Sequence, residues 1–137
     1  MAADQSLVGA WRLVSYEARS PEGTEVFPFG VGATGVIIWS ADGAFSAQIS
    51  PGDPSGDVEP NYVAYFGRWE LEEASSSVLH HVAGAFNPGL RNTVQRRGLA
   101  FDADRVTLTP PTREGANTMS LVWERTAPAE AGASVSS

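Results

Sequence analysis

The chain of 137 residues contains no cysteine and no lysine, and each absence excludes a class of chemistry. Without cysteine there is no disulfide, no thiolate nucleophile and no metal site built on sulfur. Without lysine there is no Schiff base, no attachment point for pyridoxal phosphate and no phosphate-loop lysine. The two histidines are too few for a three-histidine metal site. We therefore expect a protein that works without a metal or an organic cofactor.

Positive charge is also scarce. Nine basic residues stand against sixteen acidic ones, which gives a formal net charge of -7. Because a surface that follows phosphates needs clustered positive charge, this balance argues against a nucleic-acid partner. No stretch approaches the ~18 to 20 apolar residues that span a bilayer, and the first residues lack the pattern of a signal peptide. We expect a cytoplasmic protein with no membrane partner.

Short segments with alternating apolar and polar residues follow one another along the chain, separated by turn residues such as Asp42-Gly43. The first segment places Trp11, Leu13 and Ser15 on one face. No window of helical length shows a 3.6-residue apolar period. The predicted strands cover Trp11–Tyr16, Val26–Phe29, Gly35–Trp39, Ala44–Ile49, Tyr62–Leu71, Val78–Phe86 and Thr93–Leu99, then a tight hairpin over Phe101–Leu108 and a last strand over Thr118–Arg125.

Eight or nine short strands at this spacing predict an all-β antiparallel meander, either a closed up-and-down barrel or an open sandwich. We favour the barrel, because closure removes exposed edges and about eight strands leave an interior suited to one small ligand. Residues 1–126 are predicted to form this single domain. The loop from Pro51 to Pro60 is rich in proline, and residues 127–137 contain nothing to bury, so we expect a disordered tail.

The two ends of the predicted domain carry a recognisable pair of residues. Gly9-Ala-Trp11 opens the first strand and Arg125 ends the last, which resembles the lipocalin signature of a tryptophan that plugs the barrel under an arginine. The chain is similar to the small lipocalin-like domain proteins of bacteria and fungi from about Leu7 to Thr126. The segments that carry this resemblance include Phe27–Gly30, Gly35–Gln48, Tyr65–Glu70, His80–Val82, Gln95–Arg97 and Leu121–Arg125.

The resemblance implies a lipocalin-like β-barrel that holds a small, mostly apolar molecule. Some lipocalin-like proteins resemble carriers, and others accompany secondary-metabolite pathways as cyclases or isomerases. A fold does not fix a reaction, so the site has to be argued from its residues.

Two adjacent histidines, His80 and His81, must face opposite sides of a strand. The residues that alternate with each are nearly equal in polarity, and we favour His81 as the inward one. In the interior it would be a general acid or base that titrates near neutrality. The alternative is a histidine that only bonds a carbonyl or a cross-strand neighbour.

Gln95 and Arg97 share a face with Leu99, which favours burial, so we expect Arg97 to point inward. A buried arginine needs an acceptor, such as a ligand carboxylate, enolate or carbonyl. Arg97 is therefore the predicted group that binds a polar ligand head or stabilises developing negative charge, with Gln95 beside it. The alternative is a structural ion pair with Glu17 or Glu124.

Four further residues are predicted to line the ligand cavity. Aromatic faces supply apolar contact, and a hydroxyl or an amide can orient a carbonyl. Core packing explains aromatic residues in strands without any ligand, and for each one taken alone it is the favoured explanation. The four residues are Trp39, Gln48, Tyr65 and Trp69.

Three functions remain open from these observations. The first is a cofactor-independent cyclase or isomerase that acts on an apolar biosynthetic intermediate with His81 and Arg97, largely by positioning it. The second is a carrier that binds a small hydrophobic molecule and leaves it unchanged. The third is an interaction module with a filled barrel. The exposed strand faces are compatible with a homodimer.

Overall fold

The computed structural model describes residues 7–52, 62–112 and 114–126, and strands account for most of them. The predicted tail and most of the predicted proline-rich loop lie outside the described residues. Two short 3-10 turns, Glu73–Ser75 and Pro88–Leu90, lie between consecutive strands. The strands are β1 (Gly9–Arg19), β2 (Glu25–Val26), β3 (Thr34–Trp39), β4 (Ala44–Ser50), β5 (Val63–Glu72), β6 (Ser77–Ala85), β7 (Val94–Asp102), β8 (Arg105–Thr109) and β9 (Thr118–Arg125).

The sheet closes on itself. From β3 to β9 each strand pairs antiparallel with the next, and β9 returns to pair with β1, which also pairs with β3. Eight strands form the closed barrel, and the two-residue β2 adds to the end of β1 at Ala18 and Arg19. The prediction of an antiparallel, lipocalin-like barrel of eight to nine strands is confirmed.

Local chemistry explains where the predicted strands were too long or divided. The strand predicted over Val26–Phe29 ends at Val26, because Pro28 has no N–H for a ladder hydrogen bond. The segment that begins at Phe101 is the end of β7, and a tight turn with Ala103 at φ 57° leads into β8. The Asp42-Gly43 hairpin is present, and Gly43 adopts φ 98° there.

A bulge in β1 changes which side chains face the core. Leu13 pairs with Trp123 and Ser15 pairs with Val122, so β1 carries one more residue than β9 at this point. The extra residue reverses the alternation, and Tyr16 and Ala18 continue the inward row that Trp11 and Leu13 begin. The prediction that Ser15 shares the inward face is therefore wrong, because strict alternation does not hold across a bulge.

Trp11 and Arg125 close one end of the barrel. The Trp11 ring is 1% exposed, and the Arg125 guanidinium carbon lies 4.3 Å from its centroid. Arg125 Nη1 donates to the Val8 carbonyl at 2.9 Å, and Trp11 Nε1 donates to the Leu7 carbonyl at 2.9 Å. The two contacts satisfy polar groups that closure buries, as the signature residues imply.

The fully buried residues concentrate toward this closed end. Trp39 and Trp123 are 0% and 1% exposed, and the Trp39 ring meets Trp11 edge-on with 6.1 Å between centroids. At the opposite end Phe29 packs against Tyr16 with ring centroids 5.1 Å apart. Inward residues of β7, among them Gln95 and Arg97, are only half-buried. Water therefore reaches part of the interior along β7.

Gly67 sets the close approach of β5 and β6 beside a second bulge, where Phe66 pairs with Gly84 and Gly67 with Val82. A Cβ at residue 67 would lie 1.9 Å from the His81 carbonyl oxygen. We predict that Gly67→Ala lowers the free energy of unfolding by about 1–3 kcal/mol or more, because backbone must move. Urea denaturation followed by tryptophan fluorescence measures this change.

Gly98 in β7 provides the matched control. A Cβ there would meet the Thr109 carbonyl oxygen at 3.6 Å, an ordinary contact. Gly98→Ala should change the free energy of unfolding by less than about 1 kcal/mol. Equal losses in the two variants would contradict the assigned role of Gly67.

Candidate functional site

Five polar side chains from four strands, β1, β5, β6 and β7, point into the barrel interior, and we call them the interior polar cluster: Tyr16, Tyr65, His80, Gln95 and Arg97. Cross-strand partners share a face of the sheet. His80 pairs with Trp69 on one side and with Gln95 on the other, and Arg97 pairs with Val78, which is fully buried. The inward orientation of His80 therefore fixes that of Gln95 and Arg97.

His80 is the inward histidine, which corrects the prediction for His81. His80 is 1% exposed, and its ring stacks on Phe45 with 4.2 Å between centroids. His81 lies on the outer face of the barrel, where its Nε2 is 2.6 Å from a carboxylate oxygen of Glu70. The residues that alternate with the two histidines did not show which one points inward. Their hydrogen-bond partners do, because Trp39 lies inside the barrel and Glu70 lies outside it.

A hydrogen bond from Trp39 fixes the tautomer of His80. Trp39 Nε1 donates to His80 Nε2 at 3.0 Å. An indole N–H can only donate, so Nε2 carries the lone pair and the proton of the neutral ring is on Nδ1. Burial lowers the pKa of His80 to about 3, with smaller contributions from the positive charge of Arg97 and from His81. The interior histidine is therefore neutral near pH 7 and does not titrate there.

Arg97 points inward and keeps its charge among polar neighbours. Its Nη1 donates to the Arg96 carbonyl at 3.0 Å, and its Nη2 donates to Gln95 Oε1 at 3.4 Å. Gln95 Nε2 in turn donates to Thr93 Oγ1 at 2.8 Å. Gln95 thus holds one side of the guanidinium in place.

The structural ion pair considered for Arg97 does not form with described residues. Glu124 pairs with Arg12 and Arg105 on the outside of the barrel. Glu17 forms no ion pair with a residue that the structure describes, and no carboxylate in those ranges reaches Arg97. Within residues 7–52, 62–112 and 114–126, Arg97 therefore has no ion-pair partner.

The two tyrosines lie close enough to Arg97 to feel its charge. Burial raises the pKa of the Tyr65 hydroxyl, and the Arg97 charge and a hydrogen bond with Arg97 oppose that rise. Burial likewise raises the pKa of Tyr16, again opposed by Arg97. The Tyr16 hydroxyl lies 3.6 Å from Met119 Sδ. Both phenols therefore stay protonated at neutral pH and can donate to a ligand oxygen.

The other predicted ligand residues divide between the inside and the outside. Trp39 lies in the core, and half-buried Trp69 donates from Nε1 to the Ser40 carbonyl at 2.9 Å. Gln48 is wrong as a cavity residue, because it alternates with the buried Ala47 and Ile49 and points outward. Its Oε1 accepts a hydrogen bond from the Tyr62 hydroxyl at 3.0 Å.

A partly open, mostly apolar cavity of about 480 Å³ lies at the end of the barrel away from Trp11, and none of the five cluster side chains lines it. Two of its lining residues relate it to the cluster, because Phe29 packs on Tyr16 and Val63 stands two residues before Tyr65 in β5. Its other walls include Tyr62, Phe86 and Leu90. Tyr16, Phe29 and Phe45 were not among the residues predicted to form the site. The alternation signal for Phe45 was present, whereas Tyr16 depends on the bulge.

The described residues show no gathering of three histidine, aspartate or glutamate side chains that would hold a metal ion. Across the same residues, no helix is long and apolar enough to cross a membrane.

The closed antiparallel barrel and its partly open interior are those of a lipocalin-like β-barrel protein. The family model described as a lipocalin-like domain matches residues 8–126, and the chain belongs to that family. Comparison with curated proteins finds no match. The family and the half-open interior favour binding of a small hydrophobic ligand.

The low pKa of His80 predicts a specific dependence of stability on pH. The unfolded chain protonates this histidine below about pH 6.5, whereas the folded protein resists protonation down to about pH 3. His80 therefore makes the folded state less stable as the pH falls through this window, by up to about 1.4 kcal/mol per pH unit. His80→Gln, which can still accept from Trp39, should show a shallower loss of unfolding free energy between pH 6 and pH 4.

His81→Gln is the matched control, because it removes the neighbouring histidine from the outer face. In urea denaturation it should not show the shallower loss of unfolding free energy that is expected for His80→Gln. If His80→Gln and His81→Gln changed the slope equally, the assignment of the buried neutral histidine would be wrong.

Proposed function

We propose that the protein binds a small, mostly apolar molecule whose polar end carries a negatively charged or strongly polar oxygen. The observation that carries this proposal is the inward orientation of Arg97 with no carboxylate partner among the described residues. A guanidinium in a partly dry interior is stabilised most by an acceptor that is itself charged. A ligand carboxylate or enolate supplies such an acceptor.

The apolar part of the ligand has a place of its own. The lining of the cavity of about 480 Å³ includes Phe29, Val63 and Leu90, and Phe29 packs on Tyr16. Its volume lies within the range of small-molecule sites, and a few polar groups at one end of an apolar wall are typical of them. The ligand would place its apolar body there and direct its oxygen toward Arg97, Tyr65 and Gln95.

Isosteric probes test this arrangement. 2-Naphthoate carries a carboxylate on an apolar body, and 2-isopropenylnaphthalene has nearly the same shape without charge. Arg97→Met should weaken the binding of 2-naphthoate by about 10-fold to 100-fold, because it removes a charge-assisted hydrogen bond. It should leave the binding of 2-isopropenylnaphthalene nearly unchanged. Isothermal titration calorimetry measures both dissociation constants.

Arg96→Met is the control, since Arg96 stands next to Arg97 but pairs with Glu72 on the outer face. It should bind both probes as the wild type does. If the two variants weakened 2-naphthoate equally, the effect would be one of overall charge and the interior site would be excluded.

Cofactor-free cyclisation or isomerisation of a biosynthetic intermediate is a second candidate. The convergence of Arg97 with the Tyr65 hydroxyl and the neutral His80 ring favours it, because three donors around one oxygen can stabilise an enolate as it forms. A catalytic role for His81 is not supported, because it lies outside the barrel next to Glu70. The alternative is a carrier that uses the same site without converting its ligand.

A comparison of metabolites between the native strain and a strain that lacks the gene distinguishes the enzyme from the carrier. A strain that lacks the gene should accumulate an unrearranged precursor if the protein is an enzyme, and purified protein should convert that precursor in the extract. Arg97→Met should convert it at least about tenfold more slowly, through loss of electrostatic stabilisation. If wild-type protein returns the compound unchanged, the carrier is correct and the catalytic candidate is excluded.

A further inference from the structure

One buried polar atom in the barrel interior has no hydrogen-bond partner within the described residues. This atom is Nδ1 of His80, and the side chain that carries it is 1% exposed. Buried polar groups are nearly always hydrogen-bonded, so each exception needs an explanation. Trp123 Nε1 shares this property, and Trp123 pairs with Leu13, two residues from Trp11 at the closed end.

The chemistry of Nδ1 follows from the other ring nitrogen. Because Trp39 donates to Nε2, the proton of the ring is on Nδ1, which is therefore a donor that requires an acceptor. Phe45 covers one face of the ring and Tyr65 meets it edge-on at 6.0 Å. The charged and titratable groups whose fields reach His80 are Arg97 and His81. None of these five side chains accepts a hydrogen bond from Nδ1.

We infer that His80 recognises an uncharged acceptor oxygen of the ligand, such as the carbonyl of a ketone, ester or lactone, through its Nδ1–H. This inference deepens the proposed function and rests on it. A carboxylate is served better by the positive charge of Arg97.

Trp39 acts in this arrangement as a positioning residue. Its indole N–H holds Nε2 as an acceptor and so commits the ring proton to Nδ1. The ligand that suits both groups carries two kinds of oxygen on an apolar body, one anionic and one carbonyl. This substrate class is that of keto acids and enolised dicarbonyl compounds.

A pair of probes that differ in one atom tests the contact. 2-Acetylnaphthalene has a carbonyl where 2-isopropenylnaphthalene has a methylene group. Because the ketone oxygen would accept from His80 Nδ1–H, wild-type protein should bind the ketone about tenfold more tightly than the alkene. Nitrogen-15 NMR of the histidine should show a protonated Nδ1 and an unprotonated Nε2 in the free protein. The Nδ1 signal should shift when the ketone is added and stay in place with the alkene.

A double variant removes the donor, and a single variant provides its matched background. Trp39→Phe keeps His80 and should retain a preference for the ketone. Trp39→Phe/His80→Phe removes the donor without leaving an unpaired indole, and the preference should fall to one or below, since a carbonyl without a partner is costly to bury. Circular dichroism confirms that both variants fold, and the NMR measurement on wild-type protein needs neither.

The outcomes separate this inference from the function on which it rests. If 2-naphthoate binds with the expected dependence on Arg97 but the ketone shows no advantage and no Nδ1 shift, only the role of His80 is overturned. The same conclusion follows if the double variant keeps the preference. If neither naphthalene probe nor 2-naphthoate binds, the proposed function fails first.

Discussion

Closure of the sheet through the pairing of β1 with β9 is the constraint on which the interior depends. Once the barrel is closed, each strand position faces either the core or the solvent, and a shift of one residue exchanges the two. Trp11 and Arg125 lie at this junction, where Trp11 pairs with Arg125 across the strands and the guanidinium lies over the indole ring. The contact that closes the barrel therefore also fixes its register.

This register determines which charged side chains lie on the outer face of the barrel and which point inward. Pairs such as Arg12 with Glu124 and Arg96 with Glu72 lie on the outer face, where water screens them. Among the inward positions of the described strands β3 to β8, Arg97 is the one charged side chain. The chain as a whole is negative, with a formal charge of -7, so an anionic ligand gains nothing from the average surface. Its attraction has to come from Arg97 at short range.

The barrel could be predicted from the sequence because alternation and turn residues recur along nearly the whole chain. The inward orientation of Gln95 and Arg97 followed from the same alternation.

The errors in the predicted site arose where the alternation of apolar and polar residues did not identify the inward face. His80 and His81 had equally apolar neighbours, and only the pairing of Trp39 with one and Glu70 with the other separates them. Gln48 was selected for its chemistry although Ala47 and Ile49 already marked the inward row. Tyr16 could not be found by counting in twos, because the bulge lies between it and Leu13.

The corrected histidine also changes the chemistry that the interior can support. A histidine that titrates near neutrality exchanges protons with a substrate, and Nε2 or Nδ1 must then be free to accept one. In His80 the lone pair of Nε2 is engaged by Trp39, and burial lowers the pKa to about 3. The ring is therefore suited to donate a hydrogen bond and to leave its proton where it is. Tyr65 and Arg97 beside it are donors as well. An interior built of donors stabilises negative charge on oxygen, so any reaction there would depend on the basicity of the substrate itself.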